Sequence, residues 1–314
     1  MKKSLIKSIA CSSILASALL LPSVTRAEEA AHPEKPFLWE VSGNGVSKPS
    51  YLFGTIHLGD ERVTTLHPAV EKAFSEAEVV VTEVPMDMAT QLGVAPKMMR
   101  MDGKTLDESI GEELAARVNE ELALINPALN SKPFQSLSTW VVVTLIPMLP
   151  DQMAGKVALD KVLWDRATEE NKKTAALETM DDQLAVFTAM KEEEQVLYLR
   201  ETLKTLKEGR EEGRDMMEEL KVAYVSGDLE KLIALMDEGF ADVEDEEVQV
   251  ISAAFKKRLL TDRDVSMAAT IDGMLAGNPN GVHFFAAGAA HFASEISIIS
   301  HMEKAGYTVT RVED

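Results

Sequence analysis

The sequence predicts an α/β protein, close to the α+β class, with a central mixed β-sheet, flanking helices and a large helical segment in the middle of the chain. Short apolar runs of strand length, rich in Val, Ile and Phe, occur near both ends of the chain. Between them lies a long charged stretch whose apolar residues recur at helical spacing. The strands from the two ends are therefore expected to share one sheet.

The first strands predict a β-hairpin. Residues 37–42 and 50–56 are apolar runs, and the Gly, Asn and Pro residues of 43–49 are typical of the turn between them. A helix is predicted over 68–77. Residues 78–83 follow as a β-branched, nearly continuous apolar run, which is typical of a strand covered on both faces.

The middle of the chain is predicted to be helical from about residue 86 to 260. Thr105 and Glu108 have the spacing of a capping box, which marks a helix start. A helix is expected over 160–171. A short strand over 172–178 interrupts the helical pattern.

The end of the chain returns to strands. Residues 282–287 predict a strand, 293–305 a helix and 307–312 a closing strand. We therefore predict a single domain over 37–314, with a helical insertion around 86–260.

The first 27 residues have the pattern of a secretory signal peptide. A basic start is followed by an apolar run over 9–21 and a small-x-small cleavage signal at 25–27. The apolar run is too short for a membrane span. We expect an exported protein, periplasmic or secreted, that is cleaved near Ala27, has a mobile leader over 28–36 and makes no stable membrane insertion afterwards.

Composition limits the partners of this chain. The net charge is −20, and removal of the basic signal segment makes the remaining chain more acidic. We expect no nucleic-acid partner, since such a partner needs a basic surface. The expected partner is a peptide or small-molecule substrate. The single cysteine, Cys11, lies in the signal segment, so disulfides are not expected to stabilise the exported protein.

One short unit occurs twice, as an apolar strand, a glycine and a histidine three residues later. The first copy contains Gly54 and His57, and the second contains Gly288 and His291. A glycine at this position allows a tight turn and a close approach of the backbone. We expect folding to bring the two histidines together, with Gly54 and Gly288 lining a substrate-binding site.

Two glutamates, Glu83 and Glu178, also stand at the ends of predicted strands, where ligands gather in α/β sheets. Two histidines and a carboxylate are a usual ligand set for a divalent metal. We predict that His57, Glu83 and His291 hold a divalent metal such as Zn, Mn or Co. Glu178 is the candidate general base or a further ligand.

Arg263 is the candidate cation of this site. A guanidinium beside carboxylates can orient a substrate carboxylate or stabilise an oxyanion, so Arg263 is assigned a catalytic and substrate-binding role. The alternative is an ion pair with Asp262, Asp264 or the acidic helices. A structural role is likewise open for each histidine, as a hydrogen-bonded residue after a strand, and for Glu178, as part of a scaffold ion pair.

The chain resembles the TraB/GumN family (TraB, PrgY and GumN proteins), which is similar to the Tiki metalloproteases. The resemblance covers roughly residues 37–312 and rests on the two Gly-x-x-His units, Glu83 after its strand, segment 177–179 with Gln183, and Arg263. It implies an α/β fold related to those of ChaN-like haem-binding proteins and erythromycin esterases. It also implies metal-dependent peptidase activity, as in the Tiki proteins.

The resemblance further implies which residues form the site, namely His57, Glu83, Glu178, Arg263 and His291. Two positions depart from the family pattern. Asp264 stands where an Asn is usual, and Ser294 stands where a Gly commonly follows the second histidine.

The leading hypothesis from the sequence is an exported, metal-dependent hydrolase that acts on a peptide bond. The alternative is a periplasmic protein that binds a peptide or haem without turnover. A third hypothesis is an inactive interaction module that docks a partner through its acidic helices. A divalent metal is the expected cofactor.

Overall fold

The computed structural model describes residues 32–241 and 246–313. Its six strands form one sheet, in the order β4-β3-β5-β2-β1-β6 when they are numbered along the chain. From β1 to β6 the strands are Leu38–Gly43, Ser50–Thr55, Val79–Thr82, Lys173–Ala176, His283–Gly288 and Tyr307–Arg311.

The sheet is mixed, as predicted. Strands β4, β3, β5 and β2 run parallel to one another, whereas β1 is antiparallel to both β2 and β6. The pairing of β1 with β2 confirms the predicted hairpin. Because the carboxyl ends of parallel strands lie at one edge of a sheet, the residues that follow β2, β3, β4 and β5 meet at the same edge.

Helices flank the sheet and fill the middle of the chain. From α1 to α14 they are Glu61–Thr64, Pro68–Glu76, Met88–Val94, Leu106–Ile110, Glu112–Ile125, Thr139–Met153, Leu159–Glu169, Met180–Thr188, Glu192–Glu211, Met216–Val225, Leu229–Ala241, Glu246–Lys256, Asp262–Gly277 and Ile298–Lys304. A π-helical segment, Lys257–Thr261, joins α12 to α13, and a 3-10 turn, Ala289–Phe292, follows β5.

The two largest apolar cores support the sheet and the helical middle of the chain. The sheet core surrounds the buried strands β2 and β5 and includes Leu52 and Phe284. The second core lies between α4, α5, α6 and α9 and includes Leu122 and Val142. The hydroxyl of Tyr224, on α10, donates to the backbone oxygen of Gly54 at 2.9 Å, which attaches the helical middle to the sheet. The division into a single domain with an insertion remains a prediction.

Several element boundaries differ from the sequence prediction by a few residues, and two of these differences lie beside residues of the site. The helix expected over 293–305 begins only at Ile298, because the hydroxyl of Ser297 caps the nitrogen of Ser300. Residues 289–292 form the 3-10 turn that carries His291 instead. The strand expected over 172–178 ends at Ala176.

The predicted signal peptide and residues 28–31 of the predicted leader lie outside the described residues. In the remainder of the leader, Pro33 and Pro36 are buried, and the nitrogen of Glu34 donates to the oxygen of Val225 at 2.8 Å. Within residues 32–241 and 246–313, no helix combines the length and apolar character needed to cross a membrane.

Candidate functional site

The predicted histidines, glutamates and arginine lie together at the carboxyl edge of the parallel strands. His57 follows β2, Glu83 follows β3 and Glu178 follows β4. His291 lies in the 3-10 turn after β5. Arg263 enters from the first turn of α13, beside the π-helical segment. The strand ends thus supply the acids and imidazoles, and a helix supplies the cation.

Glu83 is the centre of this arrangement. Its side chain is 3% exposed, and Oε1 accepts a hydrogen bond from the Gly288 nitrogen at 2.6 Å. The same oxygen lies 3.9 Å from Nε2 of His57 and 3.8 Å from Nε2 of His291. Two imidazole nitrogens therefore converge on one carboxylate oxygen, although their parent strands are far apart in sequence.

Arg263 joins the two glutamates. Its Nη2 donates to Glu83 Oε2 at 2.5 Å and to Glu178 Oε1 at 2.6 Å, and its Nε lies 3.1 Å from both oxygens of Glu178. Its Nη1 donates to the Leu259 oxygen at 2.9 Å and contacts Nε2 of His291 at 3.3 Å. The predicted ion pair of Arg263 thus exists, but its partners are the glutamates of the site.

Each histidine is oriented by a buried aspartate. Nδ1 of His57 donates to Asp160 Oδ2 at 2.8 Å, and Nδ1 of His291 donates to Asp264 Oδ1 at 2.6 Å. Thr55, at the end of β2, donates to the other oxygen of Asp160 at 2.5 Å. A carboxylate on Nδ1 fixes the orientation of each ring and turns Nε2 toward Glu83, which is the usual arrangement around a metal-binding histidine.

The electrostatics of the site keep Glu83 ionised. Burial raises the pKa of Glu83, but the charges of His291, His57 and Arg263 outweigh burial and hold the pKa below its usual range. Burial raises the pKa of Glu178, and the Arg263 guanidinium offsets only part of that effect. The pKa values of the two glutamates are therefore shifted in opposite directions. Glu83 is held ionised, whereas Glu178 is easier to protonate than an ordinary glutamate.

The carboxylate of Asp160 raises the pKa of His57 to about 9. The His57 side chain is 58% exposed, so a substrate can reach it. Asp264 has no exposed surface, and burial raises its pKa; its Oδ2 is buried without a hydrogen-bond partner. Asp264 therefore fixes the orientation of the His291 ring through its contact with Nδ1.

Asp160 is the site residue that the sequence prediction missed. The sequence prediction placed Asp160 at the start of a helix and gave it no role in the site. Asp160, Leu163 and Ala167 follow the i, i+3, i+7 spacing of one helix face, and all three are buried. An acid on the apolar face of a helix was the signal that could have identified it. From the sequence, Asp264 was a departure from the family pattern and a possible partner of Arg263, whereas the structure places its Oδ1 on Nδ1 of His291.

The two glycines of the repeated unit lie in different surroundings. A Cβ on Gly54 would lie 2.8 Å from Cβ of Phe37 and 3.2 Å from Cβ of Ala289, so Gly54 packs in the core beneath the site. A Cβ on Gly288 would lie 3.3 Å from Glu83 Oε1 and 3.8 Å from His57 Nε2. Only Gly288 faces the space between the histidines and the carboxylate.

Replacing Asp160 by Asn should lower the pKa of His57 from about 9 toward its ordinary value of about 6.5. The folded-state pKa lies above the unfolded value, so the ion pair stabilises the fold fully below about pH 6.5 and loses its contribution as the pH rises through about 9. An NMR titration of the His57 ring protons in both proteins measures the shift. An unchanged pKa in the variant would contradict this role of Asp160.

Residues 37–311 match the sequence profile of the TraB/PrgY/gumN family. The chain belongs to the TraB/PrgY/gumN family. The match spans the whole sheet, including every residue of the site described above. The resemblance to this family that the sequence indicated is thereby confirmed.

Curated relatives of this TraB/PrgY/gumN protein include Tiki proteins. Metalloprotease TIKI2 of Danio rerio is 25% identical over 87% of this chain and 60% of the relative. Metalloprotease TIKI2 of Xenopus tropicalis is 26% identical over 87% of this chain and 59% of the relative. Metalloprotease TIKI1 of Homo sapiens is 24% identical over 87% of this chain and 61% of the relative. The chain spans about three fifths of the length of these relatives, and no solved structure matches it.

The donor types at the site fit a divalent metal. Two imidazole Nε2 atoms and a carboxylate oxygen suit Zn, Mn or Co, and the Gly288 face leaves space between them. Among residues 32–241 and 246–313, however, no group of three or more His, Cys, Asp or Glu side chains is already arranged to hold a metal ion. Arg263 instead contacts both Glu83 and His291. The donor atoms are of the types that bind a divalent metal, but two of the three donor residues, Glu83 and His291, contact the Arg263 guanidinium.

Proposed function

We propose that this protein is an exported, metal-dependent hydrolase that cleaves peptide bonds. The observation that carries the proposal is the convergence of His57 Nε2 and His291 Nε2 on one oxygen of Glu83, with an aspartate behind each imidazole. The similarity to proteins named as metalloproteases supports the same reaction class. Export is proposed from the signal-peptide pattern of the first 27 residues.

In this proposal, His57, Glu83 and His291 hold the metal. A divalent metal supplies Lewis acidity, which lowers the pKa of water and polarises a scissile carbonyl. Glu83 suits a ligand because it is ionised and cannot turn away, since the Gly288 nitrogen and the Gln183 amide hold its two oxygens. Asp160 and Asp264 keep the imidazoles aligned throughout the reaction.

Glu178 is the proposed general base. Burial raises the pKa of its carboxyl, which brings the group closer to the pH at which it can accept and return a proton. Arg263 touches Glu178 and lies at the edge of the same space, where its N–H groups can steady a substrate carbonyl or the developing negative charge. The exposed face of His57 marks the side from which a substrate enters.

The Glu178→Gln variant tests this function. It keeps the size of the side chain and an oxygen for Arg263 but removes the base, so kcat on a peptide library should fall ~100- to 10,000-fold. The variant should remain folded and still bind metal by calorimetry. Full activity in the variant would exclude Glu178 as the base.

The same purified protein distinguishes the ligand-binding alternative. Cleavage of the library in the presence of Zn, Mn or Co, and its loss with a chelator, would support the hydrolase. A Soret band on titration with haem, together with no cleavage under any of these metals, would support a binding protein without turnover instead.

A further inference from the structure

Arg263 engages the atoms that a metal at this site would need. Its Nη2 lies 2.5 Å from Glu83 Oε2, and its Nη1 lies 3.3 Å from Nε2 of His291. Nδ1 of His291 donates to Asp264, so Nε2 is the acceptor nitrogen of that ring. The lone pair that would bind a metal therefore accepts a hydrogen bond from Arg263.

A guanidinium and a divalent cation cannot share these partners. Both carry positive charge, and the side chain of Arg263 is 9% exposed, so water screens their repulsion poorly. Arg263 also pairs with Glu83 and Glu178 at once, so its charge favours holding the two buried carboxylates side by side. In the metal-free protein the guanidinium supplies the charge that a metal would supply.

We propose that Arg263 is a tethered cation that competes with the metal for Glu83 and His291, and that metal binding displaces its guanidinium from both. The inference rests on the proposed metal site. In the absence of metal, the contacts of Arg263 with Glu83, Glu178 and His291 occupy the proposed ligands and offset the negative charge of the carboxylates.

Glu178 and the Leu259 oxygen are partners that Arg263 can keep when its guanidinium leaves Glu83 and His291. Glu178 accepts hydrogen bonds from Arg263 Nε through both of its oxygens, so the planar guanidinium can swing away from Glu83 and His291 as one unit and keep Glu178 as its partner. Nη1 of Arg263 also bonds to Leu259, within the π-helical segment Lys257–Thr261, which contains no buried residue. Such π-helical turns occur frequently at functional sites.

The neighbouring residue remains in place during this movement. Asp264 holds Nδ1 of His291 from the same turn of α13, so the backbone there need not shift. The proposed movement is therefore a rotation of the Arg263 side chain alone. Glu83 likewise stays anchored through the Gly288 nitrogen.

The test compares the wild type with Arg263→Gln by calorimetric titration with Zn²⁺ or Mn²⁺ alone and by thermal unfolding without metal. Removal of the competing cation should tighten the metal Kd at least ~10-fold and lower the metal-free Tm, since Glu83 and Glu178 then lose the guanidinium that pairs with both. The metal-induced rise in Tm should be larger in the variant, because a ligand that binds the folded state stabilises it more when its Kd is lower.

Arg100→Gln is the matched control. The side chain of Arg100 is 4% exposed and is paired with Asp102 and Glu192, away from the site. This variant should also lower the metal-free Tm but should leave the metal Kd unchanged. It separates a general loss of a buried ion pair from the specific competition at the site.

The outcomes separate this inference from the proposed function. If wild type and Arg263→Gln bind metal equally, or the variant binds more weakly, the competition is overturned while the metal site stands. If neither protein binds metal, both the competition and the metal-dependent function are overturned. Tighter binding by Arg263→Gln, with Arg100→Gln unchanged, is the expected result.

Discussion

Replacing Glu83 by Gln should abolish metal binding and peptide hydrolysis in a protein that still folds. Glu83 is the oxygen donor on which both imidazoles converge, and it is ionised in the folded state. Loss of its charge removes a ligand outright, so metal affinity should fall by more than the ~10- to 100-fold that loss of an outer hydrogen-bond partner costs. Calorimetric metal titration and a cleavage assay measure the two losses.

The fold should survive this change. A glutamine can still accept from the Gly288 nitrogen, while Arg263 retains Glu178 as a partner. We expect a stability cost of ~1–3 kcal/mol from the weakened hydrogen bond to a buried charge. Glu121→Gln is the control, since Glu121 is a buried glutamate paired with Arg210 away from the site. Unchanged metal affinity in Glu83→Gln would contradict the assignment of Glu83.

Alanine at the two repeated glycines should affect different properties, namely stability at Gly54 and metal affinity at Gly288. Gly54→Ala should destabilise the fold by ~1–3 kcal/mol, because the new methyl group would lie 2.8 Å from Cβ of Phe37 inside a buried strand. Gly288→Ala should leave stability near the wild-type value, since its backbone has a φ of −51° and the nearest atom is the end of the Glu83 side chain. It should instead weaken metal binding, because Glu83 must move.

Denaturant unfolding and metal titration on both variants measure this contrast. Each variant serves as the control for the other, since the substitution and the motif position are the same. Equal losses of metal affinity with equal stability would show that the glycines share one role. Greater destabilisation by Gly288→Ala than by Gly54→Ala would contradict the packing described for each position.

Much of the fold follows from local patterns in the chain. The alternation of short apolar runs with turns placed β1 and β2 correctly, because strand and turn preferences are set by nearby residues. The edge that carries the site also followed, since parallel strands end together and polar residues stand at those ends. His57, Glu83, Glu178 and His291 were therefore predictable from position alone.

Contacts made across the fold were not predictable in this way. The pairing of Asp160 with His57 joins residues 103 positions apart, and nothing local to either residue specifies the other. Gly54 and Gly288 have the same sequence context, yet Phe37 and Ala289 place one in the core while the other faces Glu83. The proposed competition of Arg263 with a metal likewise rests on distances that only the folded chain sets.

The last helix is shorter than predicted because a local capping residue was overlooked. Residues 293–305 have helical spacing, but the sequence around Ser297 offers a capping side chain that starts the helix late. The turn before it is then free to carry His291 toward Glu83. The cap at Ser297 leaves residues 289–292 outside the helix, in the turn that carries His291. The helical periodicity of 293–305 did not reveal this boundary.

The proposed metal site requires that His57 and His291 together with Glu83 hold one divalent metal. It is tested by metal analysis of the mature protein, purified without chelator and loaded with Zn²⁺, Mn²⁺ or Co²⁺ in turn, in the wild type and in a His57→Ala, His291→Ala double variant. We expect about one metal ion per wild-type chain and a folded double variant with almost none. A folded double variant that retains stoichiometric metal would show that these histidines do not hold the ion.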